Sequence, residues 1–427
     1  MHFGSIRMRI ALAAFGSRGD FQPMAALAGA LAARGHDVRL IGLAEYAPLV
    51  AGRGVDFRAL SGDHQAIFQG DAGRRMFASG RHPVRMIRAV TEITRIWLPR
   101  WAPEIRDYAA GVDLLIGEFT SFVLMASLAE LWGLPCVRVL LQPVRRSAFL
   151  PSPMVGGLTA GLPRWLNLFS HDFAEQILWQ PSRRLVNRIR QEIYGLPPWP
   201  LLGPSSGFER ARLPVLMAYS EALVPRPPDW GCEVLCTGFW FLDQAPDWQP
   251  PADLVRFLDA GAAPVYLGFG SMGLPAPAAT AALLVAAVRA AGCRAIIAAG
   301  WGGLAPADLP PEIHAIDAIP HDWLFPRMAA IVHHGGAGTT AAALRAGVPS
   351  VVVPFMADQP YWAGRLLGLG VAPPAIAHDR LTAPALATAL RIALDDPAMR
   401  ARAAGFGARV RAEDGLGAAV ARIEALA

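Results

Sequence analysis

The run Val332-His-His-Gly-Gly-Ala-Gly-Thr-Thr340 closes an apolar stretch and opens an alanine-rich one. Read as strand, turn and helix, it is an anion cradle. Small residues let a diphosphate reach the backbone, and the free N–H groups and positive dipole end of the first helical turn attract its charge. Gly336, Ala337, Gly338, Thr339 and Thr340 would form that cradle, directly after His334. No Gly-Lys-Ser/Thr follows, so it is not a Walker loop. A tight turn would need the glycines, but not the adjoining His-His and Thr-Thr pairs.

One strand further on, Pro354-Phe-Met-Ala-Asp-Gln359 places Asp358 and Gln359 at the end of an apolar run. Ligands of open α/β sheets lie beyond the carboxyl ends of the strands, so the pair should face the same crevice. A carboxylate that accepts and an amide that donates and accepts suit sugar hydroxyls. Near the start of the chain, Asp20 follows the first apolar run, a carboxylate beyond a strand end that can take up a proton. An ordinary aspartate, with a pKa of about 3.9, is a weak base, so partial burial would have to help it. The plainer alternative for Asp20 is to cap a helix just before Pro23. Glu118, after Leu114–Gly117, would approach Asp20 and raise its pKa by like charge.

Gly268-Phe-Gly-Ser-Met-Gly273 spells a dinucleotide fingerprint, but its context is wrong. Pro275 and Pro277 delay the helix, and the next strand runs into Ala299-Gly300-Trp301 with no carboxylate for a ribose. That argues against hydride transfer. No Asp-x-Asp triplet occurs in the chain, so no divalent metal is expected.

These residues need strands to carry them. The chain opens as strand Met8–Phe15, glycine turn, helix from Pro23 to Arg34 and strand Asp37–Leu43. Strand patterns at 112–117, 136–141 and 214–219 continue the series, and prolines crowd between 223 and 251. A second series starts with PVYLGFGSM and adds a helix near 278–291 and strands at 294–299, 329–333 and 350–354. The expected organisation is a first α/β unit over 1–223, a linker over 224–251 and a second unit over 252–402. A terminal helix in 403–427 would cap the second unit or cross back to the first. Residues 144–200 break the rhythm and carry Trp165, Phe169, Phe173, Trp179 and Trp199, suited to an apolar acceptor wall or to core packing.

Composition agrees with two buried sheets: 427 residues, 53% hydrophobic and 17% charged, which excludes global disorder. The uncharged stretch 260–288 is broken by Pro264, Gly268, Gly270, Gly273, Pro275 and Pro277 and is no membrane span. The apolar run 10–15 passes into Gly-Ser-Arg-Gly-Asp instead of a cleavage site, so a cytoplasmic protein is expected. Four cysteines form neither a disulfide framework nor a zinc site. Net charge is +5, with arginines crowded between Arg74 and Arg106. A solvated helix face explains them; the sharper reading is peripheral attraction to anionic lipid at a membrane face. No nucleic-acid module is visible.

The run from Pro320-His-Asp-Trp-Leu-Phe-Pro326 through HHGGAGTT to DQPYWAGRLLGLGV resembles the donor-binding box of family 1 glycosyltransferases, most closely the sterol glucosyltransferase branch. Gly16-Ser-Arg-Gly-Asp-Phe-Gln-Pro23, Thr237-Gly-Phe-Trp240 and GFGSM are similar to that branch and to bacterial natural-product glycosyltransferases. The resemblance implies a GT-B fold, two Rossmann-like domains facing across a cleft, with the acceptor on the first and the sugar nucleotide on the second. It implies that His334, Thr339 and Ser271 contact the diphosphate, that Asp358 and Gln359 hold the donor sugar, and that Asp20 is the catalytic base.

The sequence departs from the plant form of the box at three places. Ile316, Ile319 and Ala342 stand where an aromatic residue, a glutamine and a ribose-binding glutamate are expected, so the base would be held through the Ile319 main chain and Trp301. The expected reaction is inverting transfer of a hexose, glucose first, from a UDP-sugar to a hydrophobic alcohol, with no cofactor beyond the sugar nucleotide. Transfer from a dTDP-deoxysugar to an antibiotic scaffold is the alternative, and a non-catalytic nucleotide-sugar sensor is the alternative from another class.

Overall fold

A computed structural model of the chain describes residues 7–62, 67, 70, 73, 75, 83–155, 162–244, 248–270, 272, 276–299 and 309–426. The strands are β1 (Arg9–Ala13), β2 (Asp37–Leu43), β3 (Asp56–Leu60), β4 (Leu114–Gly117), β5 (Cys136–Leu140), β6 (Val215–Met217), β7 (Val234–Cys236), β8 (Val265–Leu267), β9 (Ala295–Ala298), β10 (Ile313–Ile316), β11 (Ala330–His333) and β12 (Ser350–Val352). They form two sheets, in the orders β3-β2-β1-β4-β5-β6-β7 and β10-β9-β8-β11-β12. Every pairing is parallel. Parallel sheets need helices on both faces, which is why β1, β4, β8 and β11 are almost wholly apolar and buried.

Strand order reverses between β1 and β4 in the first sheet and between β8 and β11 in the second. A crevice opens at each reversal, outside the carboxyl ends of the strands. The segments after these four strands carry Gly16, Ser17 and the helix start with Asp20, then Glu118 to Ser121, Phe269 and Gly270, and His334 to Gly336. Topology therefore brings the residues with candidate chemistry to two facing crevices.

The units share a core. Tyr219, Phe239 and Leu140 pack with Tyr361, Trp362, Leu366 and Phe406, and the rings of Tyr219 and Trp362 are 6.3 Å apart. Arg365 donates through Nε to the Leu223 carbonyl at 3.0 Å. The helix Gly415–Glu424 lies on the helix Arg18–Ala33, with Glu424 bound to Arg34 and His36. Trp240 Nε1 donates to the Gly415 carbonyl at 3.1 Å.

Three sequence readings need correction. The first helix starts at Arg18, so Pro23 lies inside it and Asp20 in its first turn. The first sheet extends into 224–251, where β7 pairs with β6; prolines are compatible with a short edge strand. The 144–200 segment is dominated by the helix Arg164–Glu192, which tolerates Pro181. There Trp179 and Trp199 are buried, whereas Trp165, Phe169 and Phe173 are exposed. Among the described residues no helix is long and apolar enough to cross a membrane.

Candidate active site between the two sheets

The crevices merge into one cavity of about 1730 Å³ whose walls come from both units. On the second unit, β11 ends at His333 and the chain turns through Gly335, at φ +88°, into the helix Ala337–Ala346. A side chain at Gly335 would meet Val352 Cγ1 at 2.8 Å as well as adopting a left-handed backbone. The Thr340 amide donates to the Gly336 carbonyl at 2.9 Å, so the amides of Ala337, Gly338 and Thr339 form the open first turn. Gly336, Ala337, Gly338 and Thr339 line the cavity. Thr340 does not: its side chain is fully buried, with Oγ1 unpartnered, and its amide is already used.

His334 also lines the cavity, its Nδ1 buried without a partner. Burial pulls its pKa down to about 4, so it presents a neutral ring at working pH. Behind it, His333 Nδ1 accepts from the Gly335 amide at 3.1 Å, which fixes the turn. His321 is likewise held down to about 4, by burial first and then by the charge of Arg18 across the cleft. Arg18, with its Nε on Gln22 Oε1 at 3.1 Å, is thus a cation of the first unit near the anion cradle.

Asp358 is the cap residue of the helix Gln359–Gly368 and follows Ala357, whose φ of +53° is rare outside glycine. Its Oδ2 accepts from Trp362 Nε1 at 2.7 Å, while burial raises its pKa to about 6. Gln359 departs from expectation. Its Oε1 accepts the amides of Phe355, at 2.7 Å, and Met356, at 3.1 Å, and Nε2 points at Met272 Sδ, 3.5 Å away. Only the amide nitrogen is left to face the cavity; the carbonyl braces its own loop.

Asp20 faces these groups from the first unit and lines the cavity. Its Oδ2 accepts the Ser17 amide and the Ser17 hydroxyl, both at 2.9 Å. It is therefore the third residue of the helix reaching back to the cap, a capping role combined with exposure to the cleft. Burial pushes its pKa up. Its charge in turn raises Asp358 and Glu118, so the three carboxyl groups sit within electrostatic reach. Glu118 is buried, does not line the cavity, and accepts the amides of Thr120 at 3.0 Å and Ser121 at 3.2 Å. Burial first, then Asp20, pushes it up to about 8. It touches Asp20 electrostatically from behind rather than any ligand.

Ile319 lines the cavity beside Ile316, Ala342 and the exposed Asp317. Ser271 and Trp301 lie outside the described residues. Sequence reasoning missed Arg18 and Asp317. Arg18 stood in plain view inside the glycine-rich opening; Asp317 follows β10, a strand too short to announce itself. Among the described residues no cluster of histidine, cysteine and carboxylates is arranged to hold a metal ion.

Residues 10–103 match the glycosyltransferase family 28 N-terminal domain, and residues 293–425 the C-terminal domain of erythromycin biosynthesis protein CIII-like proteins. A sterol 3-beta-glucosyltransferase of Arabidopsis thaliana is 34% identical over 97% of this chain, and one of Neosartorya fischeri is also 34% identical over 97%. The chain spans 64% of the plant protein and 29% of the fungal one. Among solved structures, the glycotransferase of kitacinnamycin superposes with a TM-score of 0.69 at 22% identity, covering 98% of this chain and 99% of that one. The calicheamicin glycosyltransferase CalG4 gives 0.66 at 21%, covering 98% of each chain.

The chain has the GT-B fold of these glycosyltransferases. Its two parallel-sheet units are the two Rossmann-like domains of that fold, and the cavity is the GT-B cleft between them.

Proposed function

We propose that the protein transfers glucose from UDP-glucose to a hydroxyl of a hydrophobic, sterol-like alcohol, with inversion and without a metal, in the cytoplasm. The observation that carries the reading is the meeting, in one cleft, of a half-buried carboxylate on the first unit with a neutral histidine and an open helix N-terminus on the second. Relatives named sterol 3-beta-glucosyltransferases support the acceptor class. So does the apolar acceptor side of the cavity, where Ile87, Val90, Leu98, Val123 and Leu178 face inward.

The chemistry is a direct displacement. Asp20 accepts the acceptor's proton as the oxygen bonds to the anomeric carbon, and the bond from that carbon to the diphosphate breaks. Burial helps Asp20 by raising its proton affinity. The charge arriving on the diphosphate is met by the His334 ring and the amides of Ala337, Gly338 and Thr339, donors aimed before the reaction starts. Asp358 accepts from hydroxyls of the donor sugar and Gln359 donates to them. Uracil lies along the Ile319 main chain.

The test is a donor panel, UDP-glucose against dTDP-sugars, with a steroid alcohol and a polyketide aglycone as acceptors, in buffer with and without EDTA. Product from UDP-glucose and the steroid, of inverted anomeric configuration and insensitive to EDTA, is the expected result. Turnover only with a dTDP-sugar and the aglycone would replace this reading by the antibiotic one.

A further inference from the structure

The acceptor side of the cavity, largely apolar, holds one arginine whose Nε has no partner among the described residues. Arg138 stands on β5, in register with Gly117 of β4 and Val215 of β6, between the buried Val137 and Val139. Its guanidinium lies over the Phe122 ring, 4.8 Å from the centroid, and lines the cavity. Nε is closed off from solvent and has no hydrogen-bond partner, and among the described residues Arg138 makes no ion pair. Burial lowers its pKa to about 10, which leaves it charged at neutral pH. The neighbouring arginines are spoken for: Arg145 is bound to Glu233 at 2.7 Å and Arg146 to Asp172 at 2.6 Å.

A half-buried guanidinium whose Nε is sealed from water without a partner is destabilising, and an apolar residue of similar volume would serve the fold better. Its retention beside a chamber points to a ligand group. Two carboxylates, Glu175 and Glu209, line the same chamber and act on Arg138 electrostatically without bonding to it. They disfavour an anionic ligand. A hydroxyl accepts from Arg138 and donates to Glu175, and so satisfies both.

Position adds a length. Arg138 pairs with Gly117, and Gly117 with Ala13 at the end of β1, from which the chain turns into the helix that carries Asp20. Two strand spacings are roughly 10 Å. We propose that Arg138 and Glu175 form a distal acceptor subsite for a second, neutral oxygen function, a hydroxyl first of all, about two strand spacings from the hydroxyl that is glycosylated. The proposal rests on the transferase reading above and narrows the acceptor to an elongated hydrophobic diol.

The experiment compares steroid acceptors of one carbon skeleton: a mono-ol, its diol with the second hydroxyl at the far end, and the corresponding hydroxy acid. For the wild type, kcat/KM for the diol exceeds that for the mono-ol at least tenfold, through KM, and the hydroxy acid trails the diol. Arg138→Met brings diol and mono-ol within about twofold and leaves mono-ol turnover intact. Equal use of mono-ol and diol by the wild type, preference for the hydroxy acid, or equal loss of both alcohols in folded Arg138→Met overturns the proposal. Melting temperature and UDP affinity report folding. Should Arg138→Met not fold, calorimetry of mono-ol against diol on the UDP-loaded wild type decides the point. Ordinary transfer with a flat acceptor preference defeats the subsite alone, whereas retained UDP binding with no transfer to any acceptor defeats the transferase reading.

Discussion

The His334 ring and the Gly336 backbone are packed so closely that a Cβ on Gly336 would overlap His334 Nε2. Gly336 has an ordinary backbone conformation, φ −65° and ψ 147°, so the glycine is required by the ring and not by the turn. Gly336→Ala is therefore expected to push His334 out of the cleft while leaving the helix formed. The expected loss in kcat/KM is about 100-fold, the scale on which one aimed donor to a developing charge acts. UDP affinity by calorimetry should fall with it. Unchanged affinity for UDP would mean that His334 does not touch the diphosphate.

Asp20→Asn keeps the shape and an oxygen for the Ser17 amide and hydroxyl, so the helix start should survive. Loss of the base should lower kcat by about 10²- to 10⁴-fold with UDP affinity retained. Undiminished turnover would reduce Asp20 to a capping residue, and would also revive the sensor alternative if the wild type itself proved inactive.

Glu118 yields a pH prediction with a definite sign. Its folded pKa of about 8 lies above the ordinary 4.5, so the folded protein holds this proton more tightly than the unfolded chain. The related stability is complete below pH 4.5 and is lost as pH rises to 8. Glu118→Gln should remove that loss. Its melting temperature relative to wild type should climb between pH 5 and pH 9, whatever constant offset comes from altered bonds to Thr120 and Ser121. A flat difference across this range would show Glu118 to be ionised throughout.

The three histidines around the turn have the opposite sign. His321 and His334 are held down to about 4 and His333 to about 3, chiefly by burial, against an ordinary 6.5. The unfolded chain binds these protons first, so stability present above pH 6.5 drains away as pH falls toward 4. Each ring adds a slope of at most roughly 1.4 kcal/mol per pH unit. Denaturant titrations at pH 7, 6 and 5 should show the fall. His333→Asn, which leaves an acceptor near the Gly335 amide, should shallow it.

What could be read in the sequence followed from periodicity and from residues that punctuate it. β2 and the helix Pro277–Ala291 match expectation nearly to the residue, because apolar strands and alanine-rich helices end at glycine or charge. The start of the first helix was misplaced because Pro23 looked like a helix opening, whereas Ser17 and Asp20 begin it five residues earlier through side-chain bonds that no periodicity carries. The cradle residues His334 to Thr339 were legible from their types. The inward role of Gln359 Oε1 and the burial of Thr340 were not, since both depend on which way a helix is rotated once packed. Arg138 was invisible for the same reason: in sequence it is one arginine in a strand, and only the fold shows that its Nε has no partner among the described residues.

Trp362 supplies the sharpest separation of sugar from nucleotide. Its indole N–H is bound to Asp358 Oδ2 at 2.7 Å and its ring is fully enclosed, so Trp362→Phe removes the donor and leaves a small cavity that lowers stability without touching the nucleotide. A hydrogen bond to a charged partner contributes about 1.5–3 kcal/mol, which corresponds to a rise of about 10- to 100-fold in KM for UDP-glucose. UDP itself lacks the sugar, so its affinity should not change. Asp358, already raised to about 6, loses the donor that favours its charged form and moves higher. The defect should therefore be worst near pH 6.5 and shrink toward pH 9, where the carboxylate is ionised in both proteins. A variant that weakens UDP and UDP-glucose alike at every pH would place Asp358 on the nucleotide, and would move sugar recognition to another part of the cleft.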